Sequence, residues 1–112
     1  TIGHAVESIS AFNLLHGECV SIGMVGAFKL ALKLGITEQS SLNRVTKLLK
    51  KIGLPVCAEA FDIGKLYQLM LSDKKARNNK LNFILPRNIG EVIQLEIDNE
   101  VIIKEVLNEL IR

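Results

Sequence analysis

The sequence predicts a mainly α-helical, multi-helix domain with one small β-hairpin, spanning residues 1–112. Three observations lead to this class. Apolar residues recur at helical spacing through most of the chain, two short strand-like segments surround a turn near residue 88, and nearly half of the residues are hydrophobic. That apolar content is enough for a packed core in a chain of single-domain length.

The first two predicted helices flank a short loop. Residues 1–10 are expected to end a helix that begins upstream, and the loop runs from residue 10 to residue 13. One long helix is predicted over residues 14–34, ended by Gly35. Its interior contains three glycines: Gly17, Gly23 and Gly26. Each costs about 1 kcal/mol relative to alanine, so we expect another group to approach this helix closely.

Two further helices follow. Thr37 is predicted to cap the first, with Glu38 in its first turn. This helix has an apolar stripe of Leu42, Val45, Leu48, Leu49 and Ile52 opposite its basic residues, so it is expected to dock on the surface. Asp62 is predicted to cap the second, in which Ile63, Leu66, Met70 and Leu71 repeat the helical spacing.

The last third of the chain changes pattern. Residues 80–85 and 91–97 are predicted strands around a turn at residues 86–90. Asp98 is predicted to cap a final helix with an apolar side formed by Ile102, Val106, Leu107, Leu110 and Ile111. Outside these patterns, Met24, Phe28 and Met70 are expected in the core.

Composition argues against several classes of partner. The net charge is +2, and the five aromatic residues do not interleave with a basic cluster, so no nucleic-acid partner is expected. The longest apolar stretch, residues 19–28, is too short to cross a bilayer, so no membrane partner is expected either. No signal peptide is visible, and Cys19 and Cys57 are expected to be buried free thiols. We therefore expect a cytoplasmic protein.

Two histidines, His4 and His16, are the first candidates for chemistry. They are twelve residues apart, which is not the spacing of two ligands on one helical face, and a lone histidine at a helix start is more often a hydrogen-bonded structural residue. The small residues Gly17, Gly23 and Ala27 leave room for a ligand or another backbone. Glu18 could support a metal from behind its ligand or be a surface charge.

Four ordered motifs carry a family resemblance: TIGHAVE, LLHGECVSIGMV, SDKK and LNFILPRNIG. Together they resemble the C-terminal domain of 3-dehydroquinate synthases, over essentially the whole chain. The resemblance implies a lyase that converts 3-deoxy-D-arabino-heptulosonate 7-phosphate, a sugar-acid phosphate, to 3-dehydroquinate and phosphate in the shikimate route to aromatic amino acids. It also implies NAD, a divalent metal (zinc or cobalt) and a homodimer.

The same resemblance assigns residues. His16 matches a metal-ligand histidine, whose second ring nitrogen then needs an acceptor to fix its tautomer. His4 matches a catalytic histidine that contacts substrate. One of Lys74 and Lys75, in the DKK motif, matches a substrate-binding lysine.

The resemblance also implies that the chain is part of a longer protein. The family's other histidine ligand would fall before Thr1, and its glutamate ligand further upstream. The sequence has no glycine-rich phosphate loop, so NAD is expected to be bound mainly by an N-terminal domain, a partner that this chain lacks. The isolated chain is expected to be inactive. Three alternatives stay open: another sugar phosphate cyclase, a metal-dependent polyol dehydrogenase domain and a non-catalytic helical remnant.

Overall fold

The computed structural model describes residues 1–10, 13–72 and 80–111. Within these ranges the chain forms five helices and one antiparallel hairpin, which confirms the predicted fold class. The elements are α1 Ile2–Ile9, α2 His16–Lys33, α3 Gln39–Lys51, α4 Ile63–Ser72, β1 Leu81–Asn88, β2 Glu91–Ile97 and α5 Glu100–Glu109. None of the helices in the described ranges has both the length and the apolar character needed to cross a bilayer.

Helix α2 is the centre of the domain and packs against α1, α3, α5 and β1. Its inward side is fully buried, as shown by Ile22 and Leu30 at 0% exposure. Side chains of α5 and β1, including Val106 and Leu85, complete the same core. Every other element is therefore positioned by contact with α2, either directly or, for α4 and β2, through α1, α5 and β1.

The α1–α2 crossing depends on two glycines. A Cβ atom added to Gly23 would lie 3.1 Å from the backbone nitrogen of Gly3 and 3.2 Å from its Cα. A Cβ on Gly3 would lie 3.0 Å from the carbonyl oxygen of Cys19. The predicted close approach is confirmed here and at Gly26, where a Cβ would meet two side chains within 3 Å. At Gly17 no atom from beyond the adjacent residues and the helix's own backbone lies within 4 Å of that position, so no other element of the described chain approaches there.

The predicted Thr37 cap is wrong. Glu38 occupies the N-cap position of α3, without a side-chain capping bond. Thr37 is buried and its hydroxyl donates to the carbonyl oxygen of Arg87, 3.1 Å away on β1. A tertiary contact therefore takes the hydroxyl away from the helix end.

Of the other two predicted caps, one is confirmed and one is wrong. Asp62 does cap α4, because its Oδ1 accepts from the backbone N–H of Lys65 at 3.2 Å. Asp98 does not cap α5. Its neighbour Asn99 occupies the N-cap, and the Asn99 side chain accepts from the N–H of Ile102 at 3.2 Å.

The predicted five-residue turn of the hairpin is also wrong, because β1 continues to Asn88. Pro86 pairs with Val92, and a register irregularity separates Pro86 from Asn88. A two-residue turn is possible because Gly90 adopts a positive φ of 83°. A proline is tolerated in β1 because each strand of a two-stranded sheet has one unpaired edge.

Some residues expected in apolar positions are exposed. On α3, Leu42 and Leu49 are buried, whereas Leu48 and Ile52 are 57% and 61% exposed. The helix docks on the surface as predicted, but its buried stripe is narrower. On α5, Ile103 is buried and the predicted Ile102 is only half-buried.

Of the three residues expected in the core, two are confirmed and one is not. Phe28 and Met70 are buried, but Met24 is 40% exposed. Met24 lines a groove on the outer side of α2 instead.

Candidate functional site

A groove of about 630 Å³ opens between the start of α1, the first half of α2 and the hairpin. His4 and His16 both line it, together with apolar side chains that include Val20, Met24 and Ile84. The fold thus brings two histidines from different helices to one groove. This is the candidate functional site.

Two contacts fix the walls of the groove. The Gly3–Gly23 approach holds α1 against α2, and His4 directly follows Gly3 in the chain. The Thr1 hydroxyl donates to the carbonyl oxygen of Asn82 at 3.1 Å, which ties the start of α1 to β1. The positions of both histidines therefore follow from backbone packing.

His16 is the first residue of α2 and pairs with a carboxylate from α1. Its Nδ1 lies 3.1 Å from Oε2 of Glu7. The His16 side chain is 69% exposed, whereas that of Glu7 is only 19% exposed. With a proton on Nδ1, a neutral His16 donates to Glu7 and keeps a lone pair on Nε2. Such an imidazole can bind a metal through Nε2.

Sequence reasoning required an acceptor for His16 but did not identify Glu7. The signal available was weak: Glu7 follows His4 by three residues on α1, which places both on neighbouring positions of one helical face. Nothing in the sequence indicated that this face would meet the start of α2.

Glu18 caps the start of α2. Its Oε1 accepts from the backbone N–H of Leu15 at 2.8 Å. Neither alternative considered for Glu18 describes this contact, which secures the backbone on the N-terminal side of His16. A carboxylate in the first turn is also favourable to the helix dipole.

Cys19 lines the groove but is not a nucleophile. It is buried, and burial raises the pKa of its thiol, with the negative charges of Glu7 and Glu18 raising it further. The thiol therefore stays protonated near neutral pH. Neither cysteine is in a disulfide; Cys19 is buried as expected, and Cys57 is half-buried.

His4 is exposed and borders a second, smaller cavity of about 200 Å³. Ser8 and Ser72 are among the residues that line it. The DKK motif begins directly after Ser72, but residues 73–79 lie outside the described residues. The predicted roles of Lys74 and Lys75 are therefore not located by the structure.

The described ranges contain no group of three or more His, Cys, Asp or Glu side chains arranged to hold a metal ion. What they offer is one imidazole with a carboxylate behind it. That pair fits one ligand of a divalent metal site, because histidine ligands commonly donate their second N–H to a carboxylate. A complete site usually needs three or four protein ligands.

Comparison with solved structures defines the class. The chain superposes on a 2-deoxy-scyllo-inosose synthase complexed with carbaglucose-6-phosphate, NAD+ and Co2+, with a TM-score of 0.82 and 25% identity. The match covers 96% of this chain and 32% of that one. A second structure of a 2-deoxy-scyllo-inosose synthase matches with a TM-score of 0.78 at 24% identity. The fold is therefore that of a helical domain from the dehydroquinate synthase-like enzymes.

Sequence comparison identifies the family. The family described as "3-dehydroquinate synthase C-terminal" matches residues 1–76. The chain is 54% identical over 98% of its length to the 3-dehydroquinate synthase of Acetivibrio thermocellus, and 47% identical to that of Ruminiclostridium cellulolyticum. It spans 31% of the length of each. The chain belongs to the 3-dehydroquinate synthase C-terminal family.

Proposed function

We propose that this chain supplies the helical metal- and substrate-binding wall of a 3-dehydroquinate synthase. The reaction is the lyase conversion of 3-deoxy-D-arabino-heptulosonate 7-phosphate to 3-dehydroquinate and phosphate. Membership of the family supports the reaction class, and 54% identity to a 3-dehydroquinate synthase favours it over the inosose synthases at 25%. The observation that carries the proposal is that His4 and His16 line one groove, with His16 paired to Glu7.

His16 is the proposed ligand for a divalent metal, zinc or cobalt. When bound, such a metal supplies Lewis-acid polarisation of a substrate oxygen. His4, an exposed imidazole on the same groove, is the proposed catalytic residue that contacts substrate and assists proton transfer. Because both nitrogens of an imidazole can exchange protons near neutral pH, histidine suits this role.

The remaining proposals concern substrate binding by this chain and the partners supplied by the complete enzyme. One of Lys74 and Lys75 is proposed to bind an anionic group of the substrate. NAD is proposed to bind mainly to an N-terminal domain of the complete enzyme, and the complete enzyme to form a homodimer. The matched structure that contains NAD+ and Co2+ supports both cofactors for the class of enzyme.

The test is a chimera in which this chain replaces the matching C-terminal part of the Acetivibrio thermocellus enzyme. Since that relative is 54% identical over this region, the core contacts should transfer. We expect NAD- and metal-dependent release of phosphate from the heptulosonate phosphate. A folded, NAD-binding chimera that releases no phosphate contradicts the proposal.

The 112-residue chain alone provides the matched control. We expect it to be inactive and to bind zinc only weakly in a calorimetric titration, because one imidazole is too few ligands for a tight site. A stoichiometric submicromolar zinc site in the isolated chain would show that the metal ligands are misassigned, because His16 alone cannot form one.

A further inference from the structure

We propose that Glu7 is a positioning residue that makes Nε2 the metal-binding nitrogen of His16. The inference rests on the proposed function, because it concerns how the metal ligand is prepared. In this proposal, Glu7 on α1 fixes both the ring orientation and the tautomer of His16 on α2. Neither the motif LHGE nor the histidine itself contains this information.

The two side chains meet across a helix junction. Glu7 Oε2 and His16 Nδ1 are 3.1 Å apart, although the residues are nine positions apart in sequence. Glu7 is the more buried partner, with 19% of its side chain exposed against 69% for His16. The carboxylate is therefore the better anchored of the two groups, and the imidazole is the one whose orientation it can set.

The backbone beneath Glu7 is held firmly. The Ser10 hydroxyl donates to the carbonyl oxygen of Glu7 at 3.0 Å, which closes the end of α1. Near the N-terminal end of the same helix, the contact between Gly3 and Gly23 fixes the distance of α1 from α2. A carboxylate on such a support presents an acceptor at a defined place beside the first turn of α2.

Chemistry then selects the tautomer. An ionised carboxylate only accepts hydrogen bonds, and a neutral imidazole has a single N–H. Pairing with Glu7 places that hydrogen on Nδ1, so the lone pair falls on Nε2. The nearby Glu18 acts differently, because it accepts from the backbone N–H of Leu15 at 2.8 Å. One carboxylate orients the ring, and the other secures the backbone that carries it.

The first experiment reads the tautomer directly, without metal. Nitrogen-15 NMR of the histidine rings in the 112-residue chain should be recorded at about pH 8.5, above the ordinary imidazole pKa of about 6.5. We expect the proton of His16 on Nδ1 in the wild type. Glu7→Ala should shift it toward Nε2. Glu7→Gln should give an intermediate result, because its amide oxygen can accept from Nδ1–H but its NH2 group can instead donate to Nδ1.

Glu59→Ala is the matched control, because Glu59 is an exposed carboxylate that forms no hydrogen bond or ion pair with His16 in the described part of the chain. It should leave the His16 tautomer unchanged. A wild-type chain with its proton mainly on Nε2, or a Glu7→Ala chain with an unchanged tautomer, overturns the inference. Circular dichroism of Glu7→Gln guards against a folding defect, since this variant keeps the size and shape of the side chain.

The second experiment measures cobalt affinity in the chimera by competition with a chelator. Loss of a supporting group behind a metal-ligand histidine typically weakens metal binding by about 10- to 100-fold. We expect Glu7→Ala to fall in this range and Glu7→Gln to lose less. If the parent chimera binds cobalt and its Glu7→Ala variant binds it equally well, the inference about Glu7 is wrong but the proposed function is not contradicted. If the parent binds no cobalt and releases no phosphate, the proposed function fails instead.

Discussion

The two ends of α2 both carry contacts between a carboxylate and a basic side chain, but they differ in position. At the N-terminal end, His16 lies 3.1 Å from Glu7 beside the groove. At the C-terminal end, Lys33 Nζ lies 2.7 Å from Glu109 on α5, and Glu105 is 3.7 Å away. The shorter contact is the one remote from the groove residues.

On the roles proposed here, contact distance does not rank functional importance. The Lys33 contact, like that of His16, is partly exposed, and such pairs contribute little to stability because water and salt screen them. The Glu7 contact is longer, yet it determines which nitrogen of a groove histidine is free. We therefore expect substitutions at the N-terminal end to change activity, and those at the C-terminal end to change little.

The largest effect is expected for His16→Ala in the chimera. Metal-dependent phosphate release should be lost, while the melting temperature stays near that of the parent, because a side chain that is 69% exposed contributes little packing. Activity assays, metal analysis and thermal melts check this. Normal turnover with normal metal content would show that His16 is not a metal ligand. The two ends of α2 would then not differ in their effect on activity.

The next effect concerns Lys74 and Lys75, one of which should behave like the groove residues and the other like Lys33. A charge-assisted contact to an anionic substrate is worth about 1.5–3 kcal/mol. Changing the substrate-facing lysine to Met should therefore lower kcat/KM of the chimera by about 10- to 150-fold. The other should matter little, because a lysine that makes no contact with substrate loses no charge-assisted bond when it is replaced by Met. Two near-parental values would exclude the DKK motif from substrate binding.

A smaller effect, on stability, is expected at the glycines of α2. Gly23→Val should destabilise the chain by about 1–3 kcal/mol, because its side chain would press on the backbone of Gly3. Gly17→Val is the matched substitution, with nothing within 4 Å of the added Cβ, and should raise stability by at most about 1 kcal/mol. Denaturant unfolding of both variants checks this; equal effects would show that the helix crossing tolerates side chains.

The smallest effect is expected for Lys33→Met. The hydrogen bond to Glu109 raises the pKa of Lys33 above its ordinary 10.5, so the pair favours the folded state while the lysine is protonated in both states. Any advantage in melting temperature over Lys33→Met should therefore be present at neutral pH, fade as pH rises past 10.5, and shrink in high salt. A large loss of melting temperature that does not depend on salt would show that the contact of Lys33 with Glu109 is important to the protein, contrary to this comparison.

Local patterns predicted the elements better than their ends. The period of apolar residues located the helices, and the glycines of α2 predicted a close approach that Gly23 makes. Caps failed for two reasons. Asp98 and Asn99 are adjacent residues that could both serve, and Asn99 does so. Thr37 failed because its hydroxyl is used elsewhere. A partner fifty positions away decided that case, because the Thr37 hydroxyl bonds to Arg87 on β1.

The sequence predicted the candidate site only in part, because part of it depends on tertiary contacts. Both histidines were identified from sequence, and the need for an acceptor behind His16 followed from imidazole chemistry. The identity of that acceptor depended on how α1 crosses α2, which no local pattern records. Glu18 likewise had two proposed roles, and its actual bond to the N–H of Leu15 depends on local geometry at the start of the helix.

The contact between Gly3 and Gly23 has a consequence for how this domain can change over time. When two large side chains touch, growth of one can be compensated by shrinkage of the other. Here both partners are already the smallest residue, so no compensating substitution exists at either position. Any lineage that enlarges one of them must move α1, and with it His4 and Glu7, relative to His16. We therefore expect the two glycines to be retained or lost independently of each other's identity, leaving no pairwise covariation to reveal their contact.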